Sequence, residues 1–152
     1  MANLSEMYFK TANPYNVKEI VDELKQVEIS QLGDSVITKY HGRIISEAIV
    51  SDRYFTFDFS EFTQRLLNKI GSYVNPQRYH LNIYGGIQEL RVYGEPFIFN
   101  DQKFYRMFSL ISSTNKQKAL QANIGLLREV CTNGMVIAVN GEHATVKAKH
   151  FK

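Results

Sequence analysis

Tryptophan is absent from this 152-residue chain, cysteine occurs once and proline three times. A lone thiol excludes an intrachain disulfide framework, so the fold must rest on its own core, and the length suffices for one. Paired cysteines are missing and the four histidines, at 41, 80, 143 and 150, are scattered, which leaves no metal site at ligand spacing. No G-x-x-x-x-G-K loop exists to cradle a phosphate. No stretch nears the roughly 20 apolar residues of a membrane helix. No apolar run follows "MANLSEMYFK" either, so the expectation is a soluble protein of a reducing intracellular compartment, with no membrane, metal or cofactor.

What is present is uneven. Residues 1–76 carry 8 Lys/Arg against 10 Asp/Glu, whereas residues 77–152 carry 10 against 5, so the net +3 of the chain comes from its second half. That half also holds Tyr79, Tyr84, Tyr93 and Tyr105. Cations interleaved with aromatics suit a single-stranded nucleic-acid groove, because phosphates need positive charge and unstacked bases need flat faces.

Hydrophobic periodicity predicts an α+β fold, a single domain over 1–152 of mainly antiparallel hairpins with two amphipathic helices. In "NVKEIVDELKQVEI", Val17, Ile20, Val21, Leu24 and Val27 form one helical stripe, and Asn16 with Glu19 is spaced as a capping box. A second helix is expected behind an Asp58/Glu61 capping box, closed by Gly71 and the Asn75-Pro76 pair. Between them "DSVITKYHGRIISEAIV" reads as two strands around His41-Gly42. In "RYHLNIYGGIQELRVYG" the Gly85-Gly86 loop sets Ile83 across from Gln88, Leu81 from Leu90 and His80 from Arg91. One face is then Leu81, Ile83, Leu90 and Val92, the other His80, Asn82, Glu89 and Arg91. "KFYRMFSLISS" continues as a strand. "ALQANIGLLREV" fits either a strand, with Leu120, Ala122 and Ile124 on one side, or a helix. "MVIAV" and "ATVKAKH" read as a last hairpin around Asn140-Gly141.

Candidate chemistry is sparse. Cys131 has no histidine linked to it by any signature, so it is expected to be a buried structural thiol beside the Asn133-Gly134 turn. His143 and Thr145 form an H-x-T, which two-histidine phosphoesterases use in pairs. The other half would be His80-Leu-Asn82, where Asn lacks the hydroxyl, so no catalytic residues are expected. The binding set is Arg78, Tyr79, Tyr84, Arg91, Lys103, Tyr105, Arg106, Lys116 and Lys118. Strand alternation puts Lys103 and Tyr105 on one face and Arg106 on the other, so about half of the basic residues can line one groove.

Two patches carry a family resemblance. "VSDRY" at 50–54, with Ser51, Asp52, Arg53 and Tyr54, and "LLREVCTNG", with Arg128, Val130, Cys131, Asn133 and Gly134, resemble the phage/plasmid-like protein family catalogued as domain-of-unknown-function family 932. The resemblance spans about residues 30–150. It lacks the helical C-terminal extension of longer members, and "SSTNKQK" stands where they carry an "S-H-D-G-S"-like turn. It implies a phage or mobile-element origin, hence a bacterial cytoplasm, and no established reaction. The expected function is therefore nucleic-acid binding in replication or recombination, with single-strand annealing and homo-oligomers within that reading. The alternative is a non-enzymatic accessory protein that binds a host or virion protein.

Overall fold

The computed structural model describes residues 7–50, 59–115, 120–129 and 136–148. Among them the fold is α+β, with antiparallel strands in two sheets and two helices. The strands are β1 (Met7–Pro14), β2 (Val27–Leu32), β3 (Ser35–Tyr40), β4 (Arg43–Ile49), β5 (Pro76–Tyr84), β6 (Ile87–Gly94), β7 (Phe97–Phe99), β8 (Gln102–Ser113), β9 (Leu120–Glu129) and β10 (Val136–Ala148). The helices are α1 (Val17–Leu24) and α2 (Phe59–Val74). The large sheet runs β1-β5-β6-β8-β9-β10, with β7 also paired to β8, and the small one runs β2-β3-β4.

The expected β5–β6 register is present: Ile83 faces Gln88, Leu81 faces Leu90 and His80 faces Arg91. Alternation then sends Leu81, Ile83, Leu90 and Val92 to one face, where all four are fully buried together with Phe108 and Leu110. The helices close this face. Ile20 and Leu24 of α1, and Phe59, Leu67, Ile70 and Val74 of α2, join the same core, and Leu120, Ala122 and Ile124 of β9 pack against it. The segment that fitted either strand or helix is thus a strand, paired with β8 and β10.

Helix α1 begins as its capping residues predict: the Asn16 side chain accepts the Glu19 N–H at 3.0 Å. It ends earlier than the apolar stripe suggests, at Leu24, and Val27 opens β2 instead. Val27 still packs on the core, which is why it matched a helical period. Helix α2 runs through Gly71. Its stop is Asn75, in the left-handed region at φ 52, followed by Pro76, which cannot continue a helix. Asp58 lies outside the described residues.

Two further corrections concern strands. β10 is one strand along β9, with no hairpin at Asn140-Gly141. Its register jumps between Ala138↔Leu127 and His143↔Gly125, so this stretch forms a bulge. β1, β2 and β7 were not anticipated at all. The His41-Gly42 turn, in contrast, is as read, with φ of 50 and 78.

The two sheets are tied by polar contacts. The buried hydroxyls of Thr38 on β3 and Thr114, just past β8, lie 2.5 Å apart, and Thr114 N–H donates to the Gly86 carbonyl at 2.7 Å. On α1, Glu19 accepts the Tyr79 hydroxyl at 2.7 Å, and Glu23 accepts the Tyr40 hydroxyl and contacts His41 Nε2 at 2.9 Å. No helix among the described residues is long and apolar enough to cross a membrane.

Candidate nucleic-acid interface

Every strand residue that points away from the helices lands on a second sheet face, and its rows can be read from the register. One row is Arg78–Tyr93–Met107–Gly125, the next is His80–Arg91–Ser109–Asn123, and a third is Asn82–Glu89–Ile111–Gln121. A face this polar is what an antiparallel sheet presents when helices pack on its other side only.

Its most ordered feature is at the Arg78 end. The Arg78 guanidinium carbon stands 5.0 Å from the ring centroids of both Tyr93 and Tyr105, and Lys103 Nζ is 5.7 Å from the Tyr105 centroid. The two rings meet edge to face at 6.4 Å and are nearly buried, at 9% and 4% exposure. Aromatic faces attract a cation through their negative π-surface. The tyrosines therefore hold two positive charges in place and have little ring surface left for a base.

Further along, Glu89 accepts Asn82 Nδ2 at 3.3 Å and pairs with Arg91 at 3.6 Å. Asn123 Nδ2 donates to Ser109 Oγ at 3.2 Å, and Gln121 Nε2 donates to Asn123 Oδ1 at 3.3 Å. Burial pushes the His80 imidazole below its ordinary value, and the Arg91 cation adds to the effect, so His80 is neutral near pH 7. Burial raises the Tyr84 phenol, helped by the Glu89 carboxylate.

Of the nine expected binding residues, the structure brings Arg78, Tyr84, Arg91, Lys103 and Tyr105 to this one face. Tyr79 points the other way. It is 1% exposed, sits in the core and spends its hydroxyl on Glu19, so it offers no face for a base. Arg106 also lies on the opposite face, where it is exposed. Lys116 and Lys118 fall outside the described residues, as do Ser51, Asp52, Arg53, Tyr54, Val130, Cys131, Asn133 and Gly134. Arg128 is described: it sits opposite Phe104, and its Nη1 donates to Gln102 Oε1 at 3.4 Å.

The two halves expected of a phosphoesterase do not meet. His80 on β5 and Thr145 on β10 occupy the ends of one row, four strand spacings or about 19 Å apart along the sheet. Among the described residues, no three His, Cys, Asp or Glu side chains are placed to hold a metal.

Sequence reasoning missed Phe97 and Phe99, which are 40% and 63% exposed. The signal was present in "FIFND", where an Asn-Asp turn directly follows three apolar residues. Compared with family models, curated proteins and solved structures, the chain matches none.

Proposed function

We propose that this protein binds single-stranded nucleic acid on the helix-free face of its large sheet. The observation that carries the reading is the group of Arg78, Lys103 and Arg91 on one polar face, with Arg78 held between two tyrosine rings. Guanidinium and ammonium groups fixed on a sheet face neutralise phosphates and release counterions, and the amide and hydroxyl row beside them offers partners to base edges or sugars. The resemblance of the "VSDRY" and "LLREVCTNG" patches adds a phage or mobile-element setting in a bacterial cytoplasm, where single-strand binding would serve replication or recombination.

The test is fluorescence anisotropy of labelled single- and double-stranded oligonucleotides at two or more salt concentrations. Binding should prefer single strands and weaken with salt. The double variant Arg91→Ala/Lys103→Ala should reduce the log–log salt slope by about 1.4, since each phosphate contact on a single strand contributes about 0.7. Absence of binding by the wild type at low salt would sink the reading.

A protein partner is favoured by one different observation. Leu32 and Ile49 flank Ser35 in one row of the small sheet and are 85% and 65% exposed. Such a pair on a small sheet suits an apolar partner surface. Capture of a protein from nuclease-treated host lysate, insensitive to salt and lost in Leu32→Ser/Ile49→Ser, would support that reading.

A further inference from the structure

Past the last β6–β8 pair, Tyr93↔Met107, β6 runs out at Gly94, and after Glu95 and Pro96 the chain resumes as β7 beside the lower part of β8. Residues 97–104 thereby form a two-stranded arm. Its two-residue turn is Asn100-Asp101, with φ of 51 and 60, the positive values that tight hairpins need. Within the described residues β7 pairs only with β8 and is an edge strand.

Register sorts the arm's side chains. Phe97 faces Phe104, Phe99 faces Gln102, Arg128 of β9 faces Phe104 from the other side, and Arg106 follows two residues on. One face of the arm therefore carries Phe97, Phe99, Phe104, Arg106 and Arg128, and the other carries Ile98 and Lys103. Phe97 and Phe104 are stacked, 5.6 Å apart and 18° from parallel. The Phe-bearing side continues the face that the helices bury elsewhere, but α2 has ended at Val74, beside Gly94. Phe97 and Phe99 are consequently 40% and 63% exposed, and Ile98, on the other face, is 68% exposed.

Three consecutive exposed apolar residues at a hairpin tip, bordered by two arginines and a lysine, combine the two elements that a sequence-tolerant single-strand site requires: flat rings and backbone-neutralising cations. We propose that this arm is the base-stacking element of the protein, with Phe99 and Phe97 taking unpaired bases and Arg106 and Arg128 their phosphates. The proposal rests on the nucleic-acid reading above and supplies what the nearly buried tyrosines of the sheet face lack. Because β7 is an edge strand among the described residues, with cations on both sides, one strand can round it from Lys103 to Arg106.

The experiment compares wild type with Phe97→Ala/Phe99→Ala, and with Phe99→Ala alone, which leaves the Phe97–Phe104 stack in place. Binding of labelled oligo(dT) and of a duplex is titrated at several salt concentrations, and the fold of each variant is checked by its thermal melt. Single-strand affinity should fall about tenfold or more in the double variant with the salt slope unchanged, because stacking carries no counterion release. In parallel, Phe99→Trp places one tryptophan in a chain that has none, and its emission should be quenched by oligo(dT) and not by duplex. Salt-sensitive wild-type binding with no loss in either alanine variant and no quenching would overturn the arm's role while leaving the sheet face intact. An equal loss for duplex and single strand would overturn stacking as the mechanism. No wild-type binding at low salt would overturn both readings. Salt-insensitive capture of a protein by wild type and not by the double variant, with no oligonucleotide effect, would reassign the arm to a protein partner.

Discussion

The two faces of the large sheet are made by the same strands and obey different rules. On the covered face Leu81, Ile83, Leu90, Val92, Phe108 and Leu110 are at most 2% exposed, and any change of volume must be absorbed by close neighbours. On the open face Arg78, His80, Asn82 and Arg91 keep contact with solvent, and polar side chains are mixed with Tyr93, Met107 and Ile111. One residue of alternation separates a position that holds the fold from one free to bind. The arm is where this division lapses, since there the apolar face continues without its helices.

Deleting a ring from the covered face should have the largest effect. Phe108→Ala is expected to cost about 4 kcal/mol of unfolding free energy in urea, the usual range for a buried phenylalanine. Gly94→Ala tests the seam between α2 and the sheet. A Cβ at Gly94 would sit 2.2 Å from the Val74 carbonyl oxygen, and the loss should be about 3 kcal/mol with displacement of the helix end. Asn16→Ala removes the cap of α1, one of the covering helices, and should cost about 1 kcal/mol.

The open face should respond to pH more than to truncation. His80 has a folded pKa below its unfolded value of 6.5, so the folded state resists protonation. Stability should hold above about pH 6.5 and decline as pH falls through the lower folded value, and His80→Gln should flatten that decline in urea midpoints measured between pH 7.5 and 5. Arg91→Ala should be the mildest of all for stability, within about 0.5 kcal/mol, while altering oligonucleotide binding. A large destabilisation by Arg91→Ala would mean that the open face also holds the fold, and the comparison would fail.

Much of the covered face was legible in the sequence. The Gly85-Gly86 loop admits one register for its flanking strands, and period-two burial followed from that register. The same alternation that puts Leu81 and Ile83 inside also puts Tyr79 inside, a consequence obscured by reading Tyr79 with the other tyrosines as a binding residue. β2 was hidden because Val27 follows Leu24 at a helical interval, although the chain had already turned. The arm escaped because three apolar residues between Pro96 and Asn100 are too few to show a period. The end of α2 was legible in the Asn75-Pro76 pair, although Gly71 lies inside the helix. The open face was half legible: its cations could be named, but which of them share a face required the strand pairing across β5, β6 and β8.

The Thr38–Thr114 contact joins residues 76 positions apart in the chain, one in the small sheet and one just past β8 of the large sheet. Closing so long a loop is entropically costly until both sheets already exist, so this hydroxyl pair is expected to form late in folding. It works as a latch set after assembly: Thr38→Val should leave the folding rate nearly unchanged and speed unfolding, so that the small sheet governs how long the native state lasts more than how quickly it is reached.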